Sequence, residues 1–239
     1  MGITPRPAVE ILREVRGLNS LPLAELRSLA DGCEVRKAAR GAPLFAEGAP
    51  AEGLFVVRTG EIKVTKQGKD GREQIIYLAR PGRPISEGVR FDGGKYPASA
   101  IAMRNSSALL LDNATIQRTG DQKPVLLRAL LDLRAHREDR TLALVSDLSL
   151  RTVPARLASF LCALAAARGA KPGQPVTLVR DLTTETVAGR LGTVREEISR
   201  GLAFLERQST VQVTPDAIDI VDLEKLEKIA YGPRRASQA

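Results

Sequence analysis

Hydrophobic positions fall into three textures along the chain. Residues 8 to 31 carry helical spacing, with Val9, Leu12 and Val15 in one stretch and Leu23, Leu26 and Leu29 in another, broken by Asn19 to Pro22. From Cys33 to Leu111 the pattern shortens to brief apolar runs punctuated by glycine and proline: Pro43–Phe45, Leu54–Val57, Glu61–Val64, Gln74–Leu78, Ala98–Ala102 and Ala108–Leu111. Short strands spaced this closely predict a small sandwich or barrel. Thr59-Gly60 and Gln67-Gly68-Lys69-Asp70-Gly71 each separate two such runs and predict hairpins, because glycine supplies the positive φ of a tight turn.

A long helical pattern then opens near Asp121, tolerates Pro124 in its first turn and runs to about Ser149. At 1.5 Å per residue it spans about 43 Å. Read at 3,4 spacing, Leu127, Leu131, Arg134, Glu138, Thr141, Val145 and Leu148 form a seam that is apolar at both ends and polar in the middle. The helix outruns the face of a small barrel, so a parallel partner helix is the expected cover; packing on its own barrel is the alternative.

From Arg151 to Gly232 the pattern gives an apolar helix around Leu157, Phe160, Leu161 and Leu164, a Gly/Pro break over Gly169 to Pro175 and a strand at Val176 to Val179. Two short helices follow, Thr183 to Arg190 and Thr193 to about Arg207, joined through Leu191-Gly192, where glycine suits a left-handed helix end. This is helix-turn-helix spacing. Val211–Val213, Thr214-Pro215-Asp216 and Ile218–Val221 read as a hairpin wing, and Leu223, Leu226 and Ile229 as a closing helix.

The second short helix is two-faced. Projected at about 100° per residue, Val194, Ile198, Leu202 and Leu205 share one sector, while Arg195, Glu196, Ser199 and Arg200 lie within roughly 140° on the other. A helix-turn-helix needs this division, since one side anchors to the core and the other enters a major groove about 12 Å wide. Arginine grips guanine O6 and N7, and a carboxylate accepts from the cytosine amino group. Two other readings use the same residues. Thr193-Val194-Arg195-Glu196 fits a capping box, and the charged residues fit a solvated face with local ion pairs.

Composition narrows the chemistry. The 239 residues are 43% hydrophobic and 27% charged, which is ordinary for a folded chain and enough for two packed units. No run approaches the ~18 apolar residues of a membrane span, and the start lacks a secretory signal, so no membrane partner and a cytoplasmic location are expected. With His136 as its single histidine the chain builds no multi-histidine metal site, and Cys33 and Cys162 give no C-x-x-C spacing. Phosphate-loop and nucleophile-elbow motifs are absent, leaving catalysis without residues. The net charge of +8 favours polyanionic partners, yet it is spread: 23 basic against 18 acidic residues lie before Leu150 and 13 against 10 after it. Arg180 to Arg207 holds five of each sign, so charge alone does not locate a site.

Several stretches carry a resemblance: Gly41-Ala42-Pro43-Leu44-Phe45-Ala46-Glu47-Gly48, Gly53-Leu54-Phe55-Val56-Val57, Gly60-Glu61-Ile62-Lys63-Val64, residues 91 to 100 and Asp147 to Leu157. With Arg195-Glu196-Glu197-Ile198-Ser199-Arg200, which is similar to an R-E-x-V-[SG]-R pattern, they resemble the CRP/FNR superfamily of bacterial transcription regulators from about Leu21 to Ile229. The resemblance implies an α+β chain: an N-terminal antiparallel β-roll of the double-stranded β-helix, cyclic-nucleotide-binding-like kind over 1–120, a dimerisation helix over 121–149, a winged helix-turn-helix over 150–232 and a tail over 233–239. It implies a homodimer on a near-palindromic, TGTGA-like site in double-stranded DNA, with RNA polymerase as a partner. Arg195, Glu196 and Arg200 are the expected base readers, Ser199 a secondary contact, and Thr183 and Thr193 further DNA contacts. Leu127, Leu131, Glu138, Thr141, Val145 and Leu148 are the expected dimer interface.

Members that bind cyclic AMP hold its phosphate with a glycine-glutamate pair and an arginine followed by serine or threonine. The matching residues here are Ser86-Glu87 and Ala98-Ser99, which keep Glu87 and Ser99 but lack the arginine a phosphodiester requires. Arg137 and Thr141 keep part of the base side of that pocket. Control by cyclic AMP in the usual way is therefore not expected, no cofactor is expected, and the effector stays open between an unidentified ligand and none. Two cysteines do not supply an iron-sulfur cluster; redox sensing through either remains open beside a structural thiol. The competing class is a small-molecule or protein-interaction module whose helix-turn-helix does not read DNA.

Overall fold

The computed structural model describes residues 6–86, 94–171, 174–179 and 181–232. Its contacts divide into two units, residues 1–67 with 75–142, and 68–74 with 143–239.

In the first unit α1 (Ala8–Glu14), a 3-10 turn (Leu18–Ser20) and α2 (Leu23–Asp31) precede eight strands. These are β1 (Glu34–Ala38), β2 (Pro43–Phe45), β3 (Gly53–Thr59), β4 (Ile62–Gln67), β5 (Glu73–Ala79), β6 (Pro84–Ile85), β7 (Ser99–Ala102) and β8 (Ser106–Asp112). They form an antiparallel β-roll of two sheets, ordered β1-β8-β3-β6 and β2-β7-β4-β5. Alternation explains why β3 and β8 read as unbroken apolar runs. Leu54, Val56, Leu109 and Leu111 point to a core shared with the helices, and Phe55, Val57, Ala108 and Leu110 point into the roll. A strand covered on both faces has no polar positions to alternate with.

The Gln67–Gly71 turn joins sheet neighbours β4 and β5, but Thr59-Gly60 does not close a hairpin. β3 pairs with β8 and β6, whereas β4 pairs with β7, so this turn carries the chain from one sheet to the other. Gly60 has φ +83°, and a Cβ there would lie 2.2 Å from Ser106 Oγ. Close approach between the sheets, as well as turn geometry, requires glycine here.

The helical segment also differs from its pattern. Asp121 and Gln122 end a separate helix α3 (Asn113–Gln122), capped by Asp112, and α4 runs from Pro124 to Leu150. Pro124 explains the break: it lacks an N–H and disfavours helical backbone at Lys123, whose φ is −139°. Leu126, Ala129, Leu130 and Leu133 bury one face of α4 against the first unit's helical core.

The second unit contains α5 (Val153–Ala167), β9 (Val176–Val179), α6 (Thr184–Leu191), α7 (Arg195–Arg207), β10 (Val211–Val213), β11 (Ala217–Ile220) and α8 (Leu223–Tyr231). β10, β11 and β9 make a three-stranded antiparallel sheet in that order. Leu157, Leu161, Leu178, Ile198, Leu202, Leu205, Ile220 and Leu226 share one core, so every element contributes to the same small interior. No helix among the described residues is long and apolar enough to cross a membrane.

Candidate nucleic-acid interface

Gly192 ends α6 in the left-handed region, with φ +61° and ψ +45°, and Thr193 N donates to Ala188 O at 3.0 Å. The left-handed backbone is what calls for glycine at the turn; a Cβ on Gly192 would stand 2.5 Å from Leu148 Cδ2, a side-chain end that would have to shift. Arg156 on α5 donates through Nη1 to the carbonyl of Leu191 at 2.6 Å, fastening the turn to the domain core. Burial pushes the Arg156 guanidinium below its ordinary value, with Asp147 opposing, and its buried Nε has no hydrogen-bond partner among the described residues.

α7 places Ile198, Leu202 and Leu205 in the core and leaves Arg195, Glu196, Ser199 and Arg200 exposed. Gly201 lets it approach α5: a Cβ there would be 3.0 Å from Leu157 Cδ2. The helix starts at Arg195, two residues after the expected Thr193, with Val194 in place of Thr193 at the N-cap and no side-chain cap bond. The capping box therefore does not form, and Glu196 is not spent on it. Thr193 is half-buried in the turn, and Thr183 is the N-cap of α6, its Oγ1 accepting from Thr186 N at 3.1 Å. Glu206 accepts from Val213 N at 2.9 Å, tying the end of α7 to the wing.

One local ion pair does form on α7. Arg200 Nη2 lies 2.5 Å from Glu197 Oε1. Sequence reasoning passed over Glu197 because it sits at the margin between the two faces. Arg156 was missed because nothing in its spacing marks it as a partner for a carbonyl 35 residues away.

On α4, Leu127, Leu131, Glu138, Thr141 and Val145 are all exposed, while Leu148 is half-buried beside Gly192. Leu142, which a strict 3,4 reading skips, is 66% exposed, and Leu131 is 65% exposed. At about 100° per residue, Leu127, Leu131, Leu142 and Val145 fall within a stripe roughly 60° wide around Glu138. Thr141 lies to one side, its hydroxyl donating to Arg137 O at 2.9 Å.

In the β-roll, Ser99 Oγ accepts from Glu47 N at 2.9 Å, and the neighbouring Ala98 is buried. Tyr96 stacks on Phe45 with ring centroids 3.8 Å apart and fills the roll interior with Phe55. Ser86 is buried at φ +66°, its hydroxyl donating to Gly53 O at 2.9 Å and accepting from Phe55 N at 3.3 Å. Glu87 lies outside the described residues. Among the described residues no hydrogen bond joins Ser99 to Arg137 or Thr141, so the expected effector residues do not form one bonded cluster. Burial pushes the Cys33 thiol up to about 12 and the Cys162 thiol up to about 11, which favours the thiol over the thiolate at both positions. His136 is half-buried, with Nδ1 3.9 Å from Asp139 Oδ2.

A cyclic nucleotide-binding domain model matches residues 35–123, and a Crp-like helix-turn-helix domain model matches residues 155–229. The chain belongs to the CRP/FNR superfamily. As a CRP/FNR protein it is a helix-turn-helix transcription regulator in the general sense. It is 29% identical over 191 residues to the CRP-like cAMP-activated global transcriptional regulator of Mycobacterium tuberculosis, covering 80% of this chain and 85% of that one. It is 27% identical to the transcriptional activator protein anr of Pseudomonas aeruginosa, covering 81% and 79%. A CooA variant from Carboxydothermus hydrogenoformans shares the fold at TM-score 0.71 and 20% identity, covering 96% of this CRP/FNR chain and 98% of that one.

Proposed function

We propose that this CRP/FNR regulator is a homodimer that reads a near-palindromic, TGTGA-like site in double-stranded DNA, with RNA polymerase as a partner at promoters in the bacterial cytoplasm. α7 lies in the major groove. Arg195 and Arg200 donate to guanine edges, Glu196 accepts from a cytosine amino group, and Ser199 adds a secondary contact. Thr183, at the N-cap of α6, and Thr193, in the turn before α7, add contacts to the DNA. The observation that carries this reading is the division of α7: three buried apolar anchors on one side, four exposed polar residues on the other, and Glu196 free of the capping role.

The α4 stripe of Leu127, Leu131, Glu138 and Val145, with Leu142, fits a second copy of the same helix, because large aliphatic side chains so exposed in a row call for a cover. Leu148 and Thr141 then flank the seam. A two-fold dimer sets two recognition helices about 34 Å apart, one turn of DNA. The sensor, the dimer helix α4 (Pro124–Leu150) and the winged helix-turn-helix region that follows it divide the work, with the 233–239 tail outside the described residues.

The effector, if one is used, is not cyclic AMP bound in the usual way. Support comes from buried Ala98 where a phosphate-binding arginine is required, and from Ser86 and Ser99 hydroxyls already engaged with the backbone. Selection of duplexes from a random pool by the purified protein, with and without cyclic AMP, tests both parts. Paired half-sites separated by one helical turn, recovered equally in both conditions, are expected. Recovery of no preferred sequence would refute DNA reading, and recovery only with cyclic AMP would refute the effector assignment.

A further inference from the structure

Arg200 is not a free side chain on the exposed face of α7. Glu197, one turn closer to the helix start, accepts from its Nη2 at 2.5 Å, and the two differ sharply in setting: the Glu197 side chain is 38% exposed, that of Arg200 70%. The carboxylate therefore stands at the edge of the domain, while the guanidinium projects into solvent. Helical side chains lean toward the N-terminus, so the pair draws Arg200 toward the first turn of α7, the part of a recognition helix that reaches base edges. An exposed i,i+3 pair contributes little to helix stability, which leaves orientation as its main physical effect. A guanidinium has five N–H donors in a planar fork. With one hydrogen of Nη2 committed to Glu197, the other Nη2 hydrogen and Nη1 still match the O6/N7 edge of guanine.

We infer that Glu197 is a specificity-determining residue that buttresses Arg200, fixing its fork in one orientation toward guanine and withdrawing it from indiscriminate attraction to phosphate. The inference rests on the DNA-reading proposal and deepens it. Loss of the carboxylate frees the guanidinium to rotate and removes a negative charge from the DNA-facing side. Base discrimination then falls while sequence-independent binding rises. A role confined to helix stability would instead lower the melting temperature and leave base preference intact.

The test measures equilibrium binding of the full chain to the selected duplex, to each base substitution at the position that Arg200→Ala identifies, and to unrelated duplex. Glu197→Gln is expected to reduce the preference for guanine there about five- to tenfold, within the range a bidentate pair provides. It should tighten binding to unrelated duplex and leave discrimination at other positions unchanged. Glu197→Asp, which retains the charge, should recover part of the preference and serves if Glu197→Gln folds poorly by circular dichroism. Full guanine preference in a folded Glu197→Gln or in both variants alike would overturn the inference while leaving DNA reading in place. A wild-type protein with no base preference would overturn both.

Discussion

Arg156 and Leu191 are joined by a charge-assisted hydrogen bond: Nη1 of the arginine donates to the last carbonyl of α6 at 2.6 Å. This bond answers one of the unpaired carbonyls at the helix end and places a cation where the helix dipole favours it. The turn that aims α7 is thus held by a side chain outside the helix-turn-helix itself.

Replacing Arg156 with Ala is expected to cost about 1.5 to 3 kcal/mol, the worth of a hydrogen bond to a charged group. DNA affinity should fall by a similar factor for every sequence tested, because the aim of α7 is lost rather than a base contact. Chemical denaturation and binding to two unrelated duplexes check this; a sequence-selective loss would place Arg156 at the DNA instead.

Glu61 gives the stability of the β-roll a pH dependence. Its side chain is 3% exposed, and burial pushes its carboxyl up, but hydrogen bonds from Arg80 and Arg104 outweigh that and hold it below the usual range. A carboxyl lowered on folding stabilises above its unfolded value, about 4.3, and that contribution fades as pH falls through the folded value. Both arginines are well exposed and stay hydrated when the carboxylate is removed. Glu61→Gln should therefore cost about 1 to 3 kcal/mol at neutral pH, less than breaking a fully buried pair, and should flatten the acid side of the stability profile. An unchanged profile between pH 3 and 5 would contradict the assignment.

Ser86 holds a left-handed backbone that favours glycine, in exchange for two hydroxyl hydrogen bonds across to β3. Ser86→Gly relieves the strain and loses the bonds, so its stability should stay within about 1 kcal/mol of wild type. Ser86→Ala keeps the strain without the bonds and should cost about 1 to 2 kcal/mol. Ser86→Val, β-branched at positive φ, should be the worst of the three. Thermal melts rank them, and Ala at or above Gly would disprove the explanation.

Leu131 and Leu142 carry the exposed stripe of α4, so Leu131→Glu with Leu142→Glu should shift the chain toward monomer in sedimentation equilibrium while its folding stays intact. Glu138→Leu should tighten the dimer, since a charge at the centre of an apolar seam costs stability. A wild-type monomer at micromolar concentration would refute the second-copy assignment.

Much of this was legible beforehand because it rests on local rules. The anchors Ile198, Leu202 and Leu205, the left-handed Gly192 and the run of short strands follow from periodicity and glycine chemistry. What was not legible depends on packing at long range. Thr59-Gly60 has a hairpin's composition, yet the strands on either side choose other partners. Asp121 belongs to α3 because the restriction Pro124 places on Lys123 outweighs an otherwise continuous pattern. Leu142 escaped because strict 3,4 counting drifts from the 3.6-residue turn of a real helix. The expected capping box failed by a single residue of phase at Val194.

Methylation interference on the selected duplex shows whether α7 puts its arginines against guanine edges in the major groove. Methylation at N7 blocks the acceptor an arginine uses. It should weaken wild-type binding at least about tenfold at one guanine in each half-site, consistent with loss of a bidentate contact, and leave Arg200→Ala nearly unaffected there. Wild-type binding indifferent to N7 methylation, or Arg200→Ala as sensitive as wild type at every guanine, would contradict the account.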